Sequence, residues 1–356
     1  MKENILVRHP NHLNINWAQR VVDKQAVETR VSRVDIDSID IGTTTRVRIV
    51  VEHDGPKSLP NKWFVKFPSL SYRARLITAL PRLLHTEVRF YQQIAPAVPV
   101  TRPKILAGQS KFGQGATLVL SDVTESGATP GHPSDILSVS QAALVIEQLA
   151  QFHACFWNQV DHDPNYRWLA ASVRRLEDTL GTFLAVPLMK RGLQLAGNLV
   201  PPALYEPIMR YAKNRKQAMS FLSAGIQTLI HHDCHPGNLY WNQSNPGFLD
   251  WQLVRIGEGV SDISYFLATA LDSETRRRHE NDLLDTYLQI LIEKGIKALD
   301  KPSLMQRYRA HLAYALEAMI VTLAVGNLMP LASNLEFIRR TAKAVEDHDV
   351  FSILPI

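Results

Sequence analysis

The chain has 356 residues, 46% hydrophobic and 21% charged, the proportions of an ordinary folded protein at a length where one core usually gives way to two packed lobes. Its 39 Lys and Arg against 34 Asp and Glu leave a mild net charge of +5, spread along the sequence, which argues against nucleic acid as a partner. Two cysteines, Cys155 and Cys234, do not make a disulfide framework and fit a cytoplasmic protein, while the short apolar run Ile5, Leu6, Val7 and the interruption of 312–332 by Glu317, Asn327 and Pro330 exclude an export signal and a membrane span from the expectation.

Taken in chain order, residues 31–39, 45–53, 62–67, 104–108 and 116–121 predict strands, being rich in β-branched and aromatic residues between turn-forming stretches. Between the first two lies Gly42, followed by Thr43 and Thr44. Their hydroxyls and backbone N–H groups could approach phosphate oxygens, although one glycine is common in any hairpin. The third strand places Lys66 among Trp63, Phe64, Val65 and Phe67, where an unpaired ammonium is costly. The pattern at 82–95 predicts a helix stopped by Pro96, with Glu87 on the mainly apolar stripe Leu83, Phe90 and Ile94. Either Lys66 and Glu87 form an ion pair aimed at phosphates, or Lys66 snorkels to an edge and Glu87 is solvated.

The texture changes near 120–124, the expected hinge. Beyond it, helices are predicted at 140–157, 202–222, 273–293, 303–325 and 333–347. The compact basic run Arg276 to Arg278 reads as a solvated helix face. Five strands and one main helix followed by a helical mass predict an α+β protein, with a small lobe at 1–121 and a large α-helical lobe at 122–356.

Residues 231–252 interrupt the helical part. Two apolar-rich runs, 239–242 and 247–250, flank the polar turn 243–246, as in a short β-hairpin. If Asn242 pairs with Gly247, antiparallel register delivers Asn238 beside Asp250, with Asp233 upstream on a loop tightened by Pro236 and Gly237. Asn238 and Asp250 are then hard oxygen ligands for Mg²⁺, and Asp233 is left to orient and deprotonate an attacking hydroxyl. A polar turn whose Asp and Asn satisfy backbone groups would use the same residues singly.

Two other readings compete. The cluster His231, His232, Asp233, Cys234 and His235 could serve a metal-dependent hydrolase, although Pro236 and Gly237 oppose the helix that would make an i, i+4 histidine pair useful. A non-catalytic kinase-like module that only binds nucleotide is the other.

At these residues the sequence resembles the aminoglycoside phosphotransferase and choline kinase-like superfamily, especially its ecdysteroid-kinase-like branch of small-molecule kinases. The resemblance rests on His231-x-Asp233-x-x-x-x-Asn238, on Asp250-Trp251-Gln252, and on Gly259 through Leu267. It implies a bilobal protein-kinase-like fold with an antiparallel sheet in the small lobe, and ATP and Mg²⁺ as cofactors. It also implies Asp233 as the catalytic residue, Asn238 and Asp250 as metal ligands, a Lys66 and Glu87 pair, and a hinge whose Ser121 and Asp122 backbone receives the adenine. Asp262 is expected to cap a helix and brace the catalytic loop. His232 and Cys234 depart from the residues usual beside the catalytic Asp, commonly Gly and an apolar residue. The expected partner is a small hydroxylated acceptor. Nine Lys and Arg against five Asp and Glu over 160–230 favour a neutral or anionic one, and Trp168, Leu169, Phe183, Leu184 and Met189 a bulky one.

Overall fold

The computed structural model describes residues 4–72, 82–160, 163–170, 172–297 and 299–356. The chain divides into two units. One is Met1–Pro130 with Tyr240–Gln243 and Gly247–Leu253, and the other is Gly131–Leu239 with Ser244–Pro246 and Val254–Ile356.

The first unit is built on an antiparallel sheet of β1 (Val31–Ile41), β2 (Thr44–His53), β3 (Lys62–Pro68), β4 (Ile105–Lys111) and β5 (Gly115–Ser121), in the order β1-β2-β3-β5-β4. Along β2 the period of two is plain: Val47, Ile49 and Val51 are buried between partly exposed Arg46, Arg48 and Val50. The edge strand β1 is mostly exposed and carries Arg33, Asp35, Asp37 and Asp40, charges that discourage pairing with another chain.

Helix α1 (Ile15–Val22) covers the inner face and is not revealed by the sequence, because eight residues give too short a periodicity. Asn14 caps it, accepting from the Trp17 backbone N at 3.0 Å, and the Trp17 ring meets Trp63 edge-on at 6.2 Å within the core. Helix α2 (Leu83–Gln93) occupies the span expected to be helical and buries Leu84, Glu87, Val88, Phe90 and Tyr91.

The second unit is mainly helical: α3 (Val139–Phe156), α4 (Ser172–Ala196), α5 (Tyr205–Lys213), α6 (Arg215–Leu222), α7 (Gly259–Ala270), α8 (Ser273–Glu293), α9 (Lys301–Val325), α10 (Leu331–Asp347) and the single turn α11 (Val350–Ile353). This is the α+β architecture expected, an antiparallel N-lobe and a helical C-lobe.

Three local expectations need correction. The helix expected over 202–222 breaks at Asn214, whose backbone N and side-chain Nδ2 both turn back to the Arg210 carbonyl, the local competition that makes Asn a poor interior helix residue. Helix α4 is unexpected because Gly181, Pro187 and Gly192 interrupt its pattern. Gly192 has a packing reason, since a Cβ there would stand 2.4 Å from the Ile320 carbonyl oxygen of α9. Finally, Arg276 is not on a solvated face. It is 1% exposed and ion-paired with Glu280 and Asp347, while Arg277 bridges to Asp347 from outside.

Among the described residues, no helix is long and apolar enough to cross a membrane.

Candidate active site

In the first unit, β3 holds Lys66, itself buried, between buried Val65 and Phe67, so its ammonium is largely withdrawn from water and needs partners inside. It donates to Glu87 Oε1 and Oε2 at 2.8 and 2.9 Å and to Asp250 Oδ1 at 2.9 Å. Glu87 reaches it from α2, so the ion pair forms and the snorkelling alternative does not. The side chains of Lys66 and Glu87 are 5% and 0% exposed, whereas Asp250 keeps 18% of its side chain open.

Burial alone would lower the Lys66 pKa, but the charges of Asp250 and Glu87 outweigh it and raise the value, so the ammonium is held protonated. Burial pushes the Glu87 carboxyl up to about 7, against the pull of Lys66.

Asp250 is delivered differently from the expected hairpin. Strands β8 (Leu239–Asn242) and β9 (Asn245–Phe248) are joined by only Gln243 and Ser244, with Gln243 at φ +54, the left-handed start of a two-residue turn that suits the twist of antiparallel strands. Asp250 therefore lies beyond the strand end, itself at φ +57. Two anchors fix this segment. Phe248 N donates to the Thr101 carbonyl at 2.8 Å, and the Trp251 ring stacks on Phe90 of α2 at 4.3 Å and 10°. Phe90 stands one turn from Glu87, so one helix positions both the carboxylate and the aromatic that holds the neighbour of Asp250.

The other small-lobe residues singled out by sequence lie as follows. Gly42 and Thr43 form the turn between β1 and β2, closed by Gly42 N donating to Thr44 O and by Ser69 Oγ donating to Gly42 O. Thr44 itself is buried in β2, opposite Pro68, two pairs along the ladder from Lys66. Ser121 N donates to Lys104 O and Asp122 N to Lys62 O, both at 2.9 Å. The Asp122 carboxylate accepts from Arg48 and from Thr124, which caps the short helical turn Val123–Ser126.

In the second unit, the loop after β7 (Thr228–Ile230) is shaped by Asp262 in the first turn of α7. Its carboxylate accepts from His231 N at 2.7 Å, from His232 N at 2.8 Å and lies 3.2 Å from His153 Nε2. Asp262 does not cap the helix, because Glu258 occupies that position, but it does brace the loop. His232 sits at φ +68, a conformation costing an L-residue roughly 1–2 kcal/mol, and stacks on Tyr314 of α9 at 4.6 Å.

Asp233 follows. Its Oδ1 accepts from Tyr265 Oη at 2.8 Å, and Asn238 Nδ2 donates both to its Oδ2 at 2.9 Å and to its carbonyl at 2.8 Å. Asn238 closes the tight turn Pro236–Asn238, in which His235 caps Gly237 N. Burial, and then the negative charge of Asp233, holds the Tyr265 phenol well above its usual pKa, so it remains a donor. Tyr265 was missed in the sequence, although it stands one turn after Asp262 and hence on the same helix face.

The Asn238 amide commits its nitrogen to Asp233, which leaves its oxygen end to serve as a ligand. An amide oxygen is a hard donor of the kind Mg²⁺ takes, and so is the Asp250 carboxylate of the first unit. Among the described residues there is no group of three or more His, Cys, Asp and Glu placed to hold a metal ion.

A model of the ecdysteroid kinase-like family matches residues 41–300. The chain belongs to the ecdysteroid kinase-like family. The matched span carries both the Lys66 cluster and the Asp233 loop. No curated protein matches this family member by sequence. Among solved structures it is similar to choline kinase from Cryptosporidium parvum Iowa II, at 14% identity over 91% of each chain with a TM-score of 0.55. It is also similar to the GDP complex of wild-type aminoglycoside 2'-phosphotransferase-IIIa, at 13% identity over 94% of this chain and 98% of that one, with a TM-score of 0.51. At such identities these likenesses show the kinase-like fold.

Proposed function

We propose that this ecdysteroid kinase-like protein transfers the γ-phosphate of ATP to a hydroxyl of a small molecule, neutral or anionic and bulky. The observation that carries the reading is the division of labour among buried and half-buried charges. Lys66 is fixed between Glu87 and Asp250, as a cation that must meet phosphates needs to be. Asp233 is fixed separately by Tyr265 and Asn238, as a residue that must orient an acceptor needs to be.

In this reading Lys66 binds the nucleotide phosphates, Gly42, Thr43 and Thr44 lie along them, and Asn238 and Asp250 would hold Mg²⁺. The bound cation would neutralise charge on the phosphates. Since the N–H groups of Ser121 and Asp122 are already committed to Lys104 and Lys62, the adenine would be received by the backbone just beyond them. The Asp233 carboxylate aims the acceptor hydroxyl and takes its proton as the oxygen–phosphorus bond forms and the bond to ADP breaks. A cytoplasmic location belongs to this reading, supported by two cysteines that are both unpaired thiols.

The test is ADP release across a panel of hydroxylated metabolites, run with ATP and with GTP because the aminoglycoside neighbour is a GDP complex. Acceptor-dependent release that stops when Mg²⁺ is chelated is expected. Hydrolytic turnover that needs zinc and ignores nucleotide would overturn the reading in favour of the hydrolase.

A further inference from the structure

Helix α7 delivers two side chains to the loop after β7, one turn apart on one face. Asp262 takes the backbone N–H groups of His231 and His232, and so fixes the path of the loop. Tyr265 reaches instead to the end of a side chain, the carboxylate of half-buried Asp233. Three observations separate its hydroxyl from that of an ordinary core phenol.

The first is that packing does not call for it. Tyr265 is buried, 4% exposed, and a phenylalanine would fill the same volume without the penalty of withdrawing a hydroxyl from water. The oxygen is therefore there for its bond, and among the described residues that bond goes to Asp233 Oδ1 at 2.8 Å. Burial, and then the charge of Asp233, keeps the phenol protonated and hence a donor.

The second is the placing of the donors. Tyr265 Oη lies on Oδ1, and Asn238 Nδ2 lies on Oδ2 at 2.9 Å. The terminal torsion of an aspartate has broad preferences, so one donor leaves the carboxylate able to turn, whereas donors on both oxygens fix its plane. A carboxylate oxygen accepts more than one hydrogen bond, and the hold does not by itself shut out an acceptor hydroxyl.

The third is that His235, beside the same oxygen, does not duplicate the bond. Its Nε2 stands 3.8 Å from Oδ1, beyond hydrogen-bond length, and its Nδ1 accepts from Gly237 N at 3.1 Å.

We propose that Tyr265 is a positioning residue for phosphoryl transfer, its hydroxyl holding the plane of the Asp233 carboxylate in the orientation that aims the attacking hydroxyl. The role rests on the phosphoryl-transfer reading and adds to it that the orientation of Asp233, besides its presence, sets the rate. No atom of Tyr265 enters the reaction: the phenol keeps its proton while Asp233 accepts that of the attacking hydroxyl.

The experiment is a double-mutant cycle of Tyr265→Phe and Asp233→Asn. It is read as ADP release from Mg-ATP, with water alone as the acceptor and with the member of the metabolite panel that gives the fastest release. Tyr265→Phe should lower kcat by about 10-fold and leave the acceptor KM and the Mg-ADP affinity within about 2-fold, since aim is felt in the transition state. In the Asp233→Asn background the same substitution should slow release by less than about 2-fold, because no carboxylate is left to aim. The melting temperature of Tyr265→Phe should stay close to that of the wild type. A phenol that only filled the core would slow both backgrounds equally. That additivity overturns the proposal, as does an unchanged kcat in Tyr265→Phe or loss of its fold. Absence of ADP release from the wild type in both assays instead overturns the phosphoryl-transfer reading and this role with it, so the two failures are told apart.

Discussion

Lys66 meets two carboxylates inside a sheet, and its removal is expected to act first through Glu87. With the ammonium gone, only a backbone hydrogen bond from Trp251 is left to offset the burial that already lifts the Glu87 carboxyl above its ordinary value, and the folded state would keep a proton that the unfolded chain releases. Stability of Lys66→Met should then fall as pH rises from about 5 to beyond 7, because without the lysine the folded pKa lies higher still than the value of about 7 it has in the wild type, and so further above the unfolded one. The wild-type protein should change less over the same range. Melting temperatures against pH check this, and a Lys66→Met profile that is flat or rises between pH 5 and 8 contradicts the buried pair. The partners of Lys66 were half legible in the sequence: an ammonium in an apolar strand and a carboxylate on an apolar helix stripe identify Glu87. The third partner, Asp250, depends on a left-handed backbone that no periodicity records.

At the scale of elements, α7 organises the loop between β7 and the Pro236–Asn238 turn. Asp262 is fully buried and is the acceptor for two consecutive backbone N–H groups. Asp262→Ala should therefore cost about 2–5 kcal/mol by leaving donors unsatisfied, and Asp262→Asn less, since one acceptor survives. Urea midpoints distinguish them, and equal midpoints for the two variants and wild type contradict the brace. Elements with sustained periodicity, such as α8 and α9, were readable from sequence to within two residues at each end. Those whose pattern is broken by Gly and Pro, such as α4, were not, because close helix approach at Gly192 selects against the residues that announce a helix. The hairpin is recognisable in the sequence as a hairpin, but its register is not, because Asn245 and Pro246 have the composition of loop residues and yet belong to β9.

For the whole molecule, the sheet-bearing unit carries Lys66 and the helical unit carries Asp233, and under the proposed function the first would meet the phosphates and the second the acceptor. The central claim is that Asp233 acts on the acceptor and not on the nucleotide. Asp233→Asn, assayed by acceptor-dependent ADP release and by nucleotide titration of the same preparation, tests it most directly. Turnover is predicted to fall by about 100-fold or more, with nucleotide affinity within about 2-fold of wild type. Retention of most of the turnover would contradict the account.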